Sequence, residues 1–290
     1  MKKHAICIQC HNKPEQINQI IDFFDKDYFD IFIHVDKKSN ILDKIKQATN
    51  VYFCKRYDVR WGRFSQVEAT IELLNSLDET KYNYIHLISG NDFPVKKSKY
   101  IYEKMNGSNK EYIQCNKLPE MSSWSWGGRD RYLVYYPQWI IHRPNKKIMR
   151  VLRVLYREFI MRTKIFQRKK HVAENFYGGS SWFSLTGNCV SWIKKYLKNN
   201  QNYINYFKHG ICVDEIFFST LVQMSPYKNN ITNDPYRFMI WKGSTSGGPF
   251  ELKKENIPDM IASKNIFARK ITNIEVVNEI CNYLGENNYE

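Results

Sequence analysis

Short apolar runs alternate with longer amphipathic segments along the first 115 residues of the chain. Three runs rich in β-branched and aromatic residues, 5–9, 31–35 and 84–88, each end in polar or turn residues, as buried strands do. Residues 14–24 and 65–77 instead repeat apolar side chains at helical spacing, and Ser65 is placed to cap the second helix. Their apolar faces comprise Ile17, Ile20, Ile21 and Phe24, and Val67, Ile71, Leu74 and Leu77.

This alternation predicts an α/β fold with a mostly parallel, Rossmann-like sheet flanked by helices. Ligands of such sheets bind beyond the carboxyl ends of the strands. We therefore expect functional residues directly after each strand, where this sequence has His11, Asn12, Asp36, Ser89, Gly90, Asn91 and Asp92.

The pattern is less regular in the second half of the chain. Residues 117–145 lose periodicity and indicate a long functional loop. Beyond them, 181–185 and 236–241 resemble strands, whereas 189–197, 214–224 and 273–284 resemble helices. Because no internal repeat or linker interrupts the chain, we expect a single domain over residues 1–290.

The composition is that of a globular protein with an excess of positive charge. Apolar residues make up 43% of the 290 residues, and the formal net charge is +15. That charge favours partners with phosphates: nucleic acid, nucleotide-sugars or an anionic membrane surface. No zinc-ligand spacing or basic arm supports nucleic acid. No run approaches about 18 apolar residues and no signal-peptide core is present, so we expect a cytoplasmic protein.

Residues 146–170 concentrate the charge, with ten lysines and arginines against one acid, Glu158. The segment predicts a basic amphipathic helix. Two interpretations stay open. The helix packs on the core with a solvated basic face, or it lies on an anionic membrane, which would hold the protein at the inner face. Its apolar positions are Ile148, Leu152, Leu155, Phe159 and Phe166.

Motifs for metal or haem are weak. The one D-x-D sequence, Asp25-Lys26-Asp27, follows a predicted helix and precedes a strand, which indicates a solvated helix end. The C-x-x-C-H pattern at 7–11 lies on a predicted buried strand. We expect no cofactor and no metal, so that arginine or lysine must neutralise any bound diphosphate.

Eight short blocks occur along the chain in a fixed order. They are HN-x-PEQ from His11, IHVDKKS from Ile33, WG-x-FS-x-VEA from Trp61, LISG-x-DFPVK from Leu87, GSSWFSLT from Gly179, the pair Asp214-Glu215, R-x-x-x-W from Arg237 and FARK from Phe267. Together they resemble the core-2/I-branching β-1,6-N-acetylglucosaminyltransferase and peptide O-xylosyltransferase family, glycosyltransferase family 14. The resemblance spans about residues 4–272.

The resemblance implies a GT-A-like fold and inverting, metal-independent transfer from a UDP-sugar with formation of a β linkage. It implies a nucleotide-sugar half at about 1–115 and an acceptor and catalytic half at about 116–290. Glu215 matches the family's catalytic base, which takes the proton of the acceptor hydroxyl. Arg237 and Lys270 match the two basic residues that bind the diphosphate and stabilise the UDP leaving group.

Other candidate residues follow from the same resemblance. Asp92 matches the acid near the donor, while His11, Asn12 and Asp36 match the nucleotide end of the sheet. Trp182 lies on the strand that faces the acceptor. Two interpretations stay open for four residues of the long loop, which either contact the acceptor or pack the loop: Trp124, Trp126, Arg129 and Arg131.

The resemblance favours UDP-GlcNAc as the donor, with UDP-xylose, UDP-glucose and UDP-galactose as alternatives. A non-catalytic sugar-nucleotide binder is the alternative from another functional class. Arg63 stands where the family commonly has glycine, so the donor loop differs locally. The compact chain without a membrane anchor suggests a bacterial enzyme that acts on a surface glycan, carried on a lipid and held close by residues 146–170.

Overall fold

The computed structural model describes residues 2–120, 122–141, 147–241 and 248–286. Within these residues the strands are β1 (Lys3–Cys10), β2 (Phe29–Val35), β3 (Val51–Phe53), β4 (Tyr82–Ser89), β5 (Asp92–Pro94), β6 (Asn116–Leu118), β7 (Phe176–Gly178), β8 (Phe183–Thr186), β9 (Arg237–Phe238) and β10 (Phe267–Arg269). The helices are α1 (Pro14–Phe23), α2 (Phe64–Asn75), α3 (Ser98–Asn106), α4 (Asp130–Leu133), α5 (Gln138–Ile141), α6 (Lys147–Thr163), α7 (Gly187–Asn199), α8 (Gln201–Phe207), α9 (Asp214–Gln223), α10 (Ile257–Ala262) and α11 (Ile274–Glu286).

The central sheet has five strands in the order β3-β2-β1-β4-β8. β1 runs parallel to both β2 and β4, and β2 runs parallel to β3, whereas β8 is antiparallel to β4. The predicted α/β fold with a mostly parallel sheet is therefore confirmed. Because β8 comes from the second half of the chain, both predicted halves contribute to one sheet.

Alternate residues of β1 face two different hydrophobic cores. Ala5 and Cys7 pack in the core that includes α2, α7 and α9. Ile6 and Ile8 pack in the core that includes α1, α3 and α11. Strand side chains alternate between the two faces, so burial of every one of these residues requires a helical layer on each side, as expected.

The predicted N-cap of the second helix is wrong. The N-cap residue of α2 is Arg63, and Ser65 lies inside the first turn. The Ser65 hydroxyl accepts a hydrogen bond from the backbone N–H of Arg60 at 2.9 Å, which closes the preceding turn instead.

Two further expectations need correction. The predicted strand at 236–241 is reduced to β9, and Trp241 forms an isolated bridge with Pro249. The predicted loop at 117–145 contains β6, α4 and α5. Residues 121 and 142–145 of this segment lie outside the described residues. Both errors have one cause: elements of two to four residues are too short to show a hydrophobic period.

Of the basic segment, residues 147–163 form α6, Phe166 lies beyond the end of the helix, and Lys146 is outside the described residues. The predicted apolar face is not the one that packs on the core, because Ile148, Leu155 and Phe159 are 74%, 60% and 53% exposed. Another face of the helix packs on the core: Met149, Ile160 and Met161 are buried, the last two in the same core as α2, α7 and α9. This face also buries Arg153, whose guanidinium donates to the carbonyl of Ile140 at 3.1 Å. No helix in the described part of the chain is long and apolar enough to cross a bilayer.

We expect the Gly187→Ala substitution to destabilise the fold. The new Cβ at the start of α7 would collide with the carbonyl oxygen of Tyr82 and lie 2.7 Å from that of Glu79, both backbone atoms that cannot move aside. Such overpacking costs roughly 1–3 kcal/mol. Urea unfolding measures the loss. Gly107→Ala is the matched control, since its Cβ would meet nothing within 4 Å; equal stability of the two variants would contradict the steric account.

Candidate active site

A cleft of about 510 Å³ opens at the carboxyl ends of β1, β2 and β4. Eight of the residues predicted from the sequence line it: His11, Asn12, Asp36, Ser89, Gly90, Asn91, Trp182 and Lys270. The edge of the sheet where ligands of such folds bind is therefore the edge where these residues meet.

A backbone hydrogen bond holds the nucleotide candidates that follow β1 and β2 next to each other. The N–H of Asp36 donates to the carbonyl of Cys10 at 2.9 Å, which holds the end of β2 beside the turn that carries His11 and Asn12. The Lys38 ammonium lies 3.1 Å from the Asp36 carboxylate and also pairs with Asp58. These ion pairs hold the Lys38 ammonium beside Asp36, and both residues line the cleft.

Two consecutive cations, Arg269 and Lys270, also line the cleft. The Arg269 guanidinium lies 2.5 Å from the carboxylate of Asp92, which is fully buried. It also lies over the Trp182 ring, 4.7 Å from its centroid. Asp92 accepts a further bond from the N–H of Ser89 at 2.8 Å. Asp92 therefore does not face the cleft but fixes the arginine that does.

Arg237, expected at the diphosphate, lies beneath the cleft and is 4% exposed. Its guanidinium donates to the carbonyls of Leu87 and Phe183 at 2.7 and 2.9 Å, where β4 meets β8. Burial lowers the pKa of Arg237 to about 10, against the opposing effect of Asp92. In this position its hydrogen bonds are directed at the sheet rather than at a ligand.

A second cavity of about 240 Å³ lies beside α9, between the long loop and α6. Trp124 and Arg131 line it. The Arg131 guanidinium stacks on the Trp124 ring, 3.6 Å from its centroid, and forms an ion pair with the Glu215 carboxylate. The structure thus brings the predicted base into contact with one of the loop residues that the sequence offered as acceptor contacts.

Burial raises the pKa of the Glu215 carboxyl, and the nearby Arg131 charge opposes that rise. Burial also raises the pKa of Asp214, which accepts a hydrogen bond from the Ser181 hydroxyl at 2.7 Å. Two adjacent carboxyls with raised pKa values, one of them paired with an arginine, form an arrangement typical of general acid–base sites.

A family model described as Core-2/I-branching enzyme matches residues 8–275. The chain belongs to this family. Core-2/I-branching enzymes are glycosyltransferases, so the substrates are a sugar donor and a glycan acceptor. No curated protein matches the chain with significance. The family was recognisable from the order of the eight sequence blocks, and the mostly parallel sheet is consistent with its GT-A-like fold.

Two candidate acceptor residues of this Core-2/I-branching chain, Trp126 and Arg129, line neither of these cavities. The Trp126 indole N–H donates to Glu158 of α6 at 3.1 Å, so this side chain joins the loop to the helix. Arg129 is exposed and donates to the carbonyl of Trp126 at 3.3 Å. Trp182 lines the same cleft as the nucleotide candidates, whereas Trp124 lines the other cavity.

Sequence reasoning missed several residues that line the cleft. They are Lys38, Trp61 and Arg269. Each stands inside one of the quoted sequence blocks, so the signal was present, but a block does not reveal which of its side chains face a cavity. The Asn91 side-chain oxygen is buried without a hydrogen-bond partner, which marks it as an acceptor open to a ligand.

Among the described residues, no three histidine, cysteine, aspartate or glutamate side chains lie close enough together to hold a metal ion. Asp25 and Asp27 are exposed in the turn after α1, where the Asp25 carboxylate accepts from the N–H of Asp27 at 2.9 Å. The D-x-D sequence is thus the solvated helix end that was expected. Independence from metal stays a prediction.

The carboxyl of Glu215 should titrate above the usual glutamate pKa of about 4.3. Arg131→Gln should raise this pKa further, because it removes the cation that favours the ionised form. Carbon-13 NMR of glutamate labelled at Cδ measures the titration, and Glu215→Gln identifies the resonance. Arg129→Gln is the control, a nearby exposed arginine without a carboxylate contact to Glu215; a downward shift in Arg131→Gln would contradict the ion pair.

Proposed function

We propose that this glycosyltransferase moves a sugar from a UDP-sugar to a hydroxyl of a glycan acceptor with inversion, and that it needs no divalent metal. One observation carries the proposal: a single cleft joins the nucleotide candidates His11, Asn12 and Asp36 to the cations Arg269 and Lys270. A ribose hydroxyl suits Asp36, and a diphosphate suits the paired cations.

In other nucleotide-sugar enzymes a metal ion stabilises the diphosphate, and here the fixed positive charge of Arg269 and Lys270 does so. As the bond between the anomeric carbon and the diphosphate breaks, negative charge develops on the UDP oxygens. Lys270 and Arg269 stabilise that charge without reorganisation, because Asp92 already holds the guanidinium in place. Arg237 supports the same edge from beneath through its bonds to the sheet.

Glu215 acts as the general base. Its carboxylate accepts the proton of the acceptor hydroxyl while that oxygen attacks the anomeric carbon from the face opposite UDP, which inverts the linkage to β. Two contacts connect the base to the cleft: Ser181, next to Trp182, binds Asp214, and the N–H of Cys212 donates to the carbonyl of Gly62, next to Trp61, at 2.9 Å. UDP-GlcNAc is the proposed donor.

Glu215→Gln should lower turnover by about 10²–10⁴-fold and leave UDP affinity unchanged, since it removes the base and keeps the side chain's shape. UDP release from UDP-GlcNAc, UDP-xylose, UDP-glucose and UDP-galactose, measured with EDTA present, tests the base, the donor and metal independence together. Glu174→Gln, an exposed glutamate, is the control. A fully active Glu215→Gln enzyme would refute the base, and loss of wild-type activity in EDTA would refute metal independence.

Lys270→Ala should weaken UDP binding by about tenfold or more while uridine binding changes little, because a hydrogen bond to a charged group is lost only with the diphosphate. Calorimetric titration with both ligands measures the difference. Lys253→Ala removes an exposed lysine and serves as the control. Arg237→Ala is measured in the same way. If it weakens UDP binding but not uridine binding, Arg237 contacts the diphosphate. If it lowers the stability of the protein and leaves the ratio of the two affinities unchanged, Arg237 supports the sheet beneath the cleft.

A further inference from the structure

The amphipathic helix α6 presents its apolar stripe to solvent. The stripe follows the helical spacing i, i+3, i+4, i+7 and i+11, so its members lie on one side. They are Ile148, Val151, Leu152, Leu155 and Phe159, which are 74%, 52%, 42%, 60% and 53% exposed. The face of α6 that packs on the core is a different one and carries Met149, Ile160 and Met161.

The exposed apolar surface extends beyond the helix. Ile165 and Phe166 follow it and are 51% and 78% exposed, and Trp139 on α5 is 57% exposed. Single exposed apolar side chains are normal, but a contiguous group of them marks an interaction surface. We call the stripe and these three residues the α6 surface.

Charge decides what covers the α6 surface. Its exposed surroundings carry the cations Lys147, Arg150, Arg162, Lys164, Lys169 and Lys170. The acid of this helix, Glu158, is already bound to Trp126 and Arg157 at 3.1 and 3.0 Å. A second copy of this chain would bring the same cations together and be repelled, whereas an anionic surface is attracted.

We propose that α6 lies in the interfacial plane of an anionic lipid bilayer, with its apolar stripe among the acyl chains and its cations at the headgroups. An exposed apolar stripe flanked by lysine and arginine is the pattern of helices that bind this way. The surface potential of anionic lipid adds binding energy for each basic side chain close to it.

The position of α6 has a consequence for the acceptor, which rests on the proposed function. The helix contacts the long loop through the Trp126–Glu158 bond and through Arg157, which lies 3.6 Å from Asp130. The cavity beside Glu215 is lined by Arg150 and Arg157 of the same helix. Docking α6 on a bilayer therefore places this cavity near the lipid surface, where a lipid-linked glycan would present its hydroxyl.

Co-sedimentation of the full chain with vesicles tests the proposal. Wild type should bind vesicles that contain phosphatidylglycerol and bind pure phosphatidylcholine vesicles at least about tenfold more weakly. Leu155→Glu with Phe159→Glu should abolish binding, because two charges then enter the apolar layer. Tyr100→Glu is the control: Tyr100 is a 42% exposed aromatic residue on α3, and its substitution should leave binding unchanged.

A charge series separates the electrostatic contribution. Lys147→Gln, Lys164→Gln and Lys169→Gln combined should weaken binding to anionic vesicles by more than about tenfold. Lys195→Gln, Lys198→Gln and Lys208→Gln remove three exposed lysines from α7 and the end of α8, at the same cost in net charge, and should have little effect.

Three results would overturn the proposal: equal binding of neutral and anionic vesicles, unchanged binding after Leu155→Glu with Phe159→Glu, or a dimer that these substitutions convert to a monomer. UDP affinity is measured on the same variants and should not change, since α6 lies outside the nucleotide cleft. If wild type releases UDP but does not bind anionic vesicles, the membrane proposal alone is refuted. If it binds vesicles but has no affinity for UDP, the proposed nucleotide site alone is refuted.

Discussion

The ion pair between Arg269 and Asp92 fixes the edge of a small sheet where the cleft opens. Asp92 begins β5 and Arg269 ends β10, and these two strands pair antiparallel in a three-stranded sheet of order β5-β10-β9. The Asp92 carboxylate is fully buried and also accepts a hydrogen bond from the N–H of Ser89, the last residue of β4, at 2.8 Å, which joins the small sheet to the central one. Separating the two would leave a carboxylate buried without a partner, which costs roughly 3–5 kcal/mol. Because Lys270 is the next residue, the pair also fixes the position of the proposed diphosphate ligand.

The proposed base depends on a different kind of connection. Glu215 lies on α9, in another part of the chain from Lys270, yet transfer requires the base and the leaving group to be held on opposite sides of one carbon atom. Hydrogen bonds from Ser181 to Asp214 and from Cys212 to Gly62 join the start of α9 to segments that line the cleft. Such contacts fix the distance between the two sites more firmly than long side chains could.

Sequence periodicity predicted two kinds of element: strands that are buried on both faces, and helices that bury one side over several turns. β1, β2, β4, α1 and α9 belong to this group. β5, β9 and β10 have two or three residues each, too few for a period to be visible, although they carry Asp92, Arg237 and Arg269. Family blocks supplied those residues in order but not the direction of each side chain. Arg237 could not be placed by them, since only the folded sheet supplies the carbonyls that bind it.

The orientation of helix α6 could not be predicted from its sequence either. Its sequence defines an apolar stripe and a basic face, but the hydrophobic pattern does not say which of the two turns toward the protein. The folded neighbours decide it. Met149, Ile160 and Met161 are buried on the side that faces the protein, where the carbonyl of Ile140 and the carboxylate of Asp130 also bind Arg153 and Arg157. The apolar stripe is then left in water, at a cost of about 25 cal/mol for each Å² of apolar surface. That free energy is recovered when the stripe is covered, so an orientation that costs stability in solution becomes the source of affinity for a lipid surface.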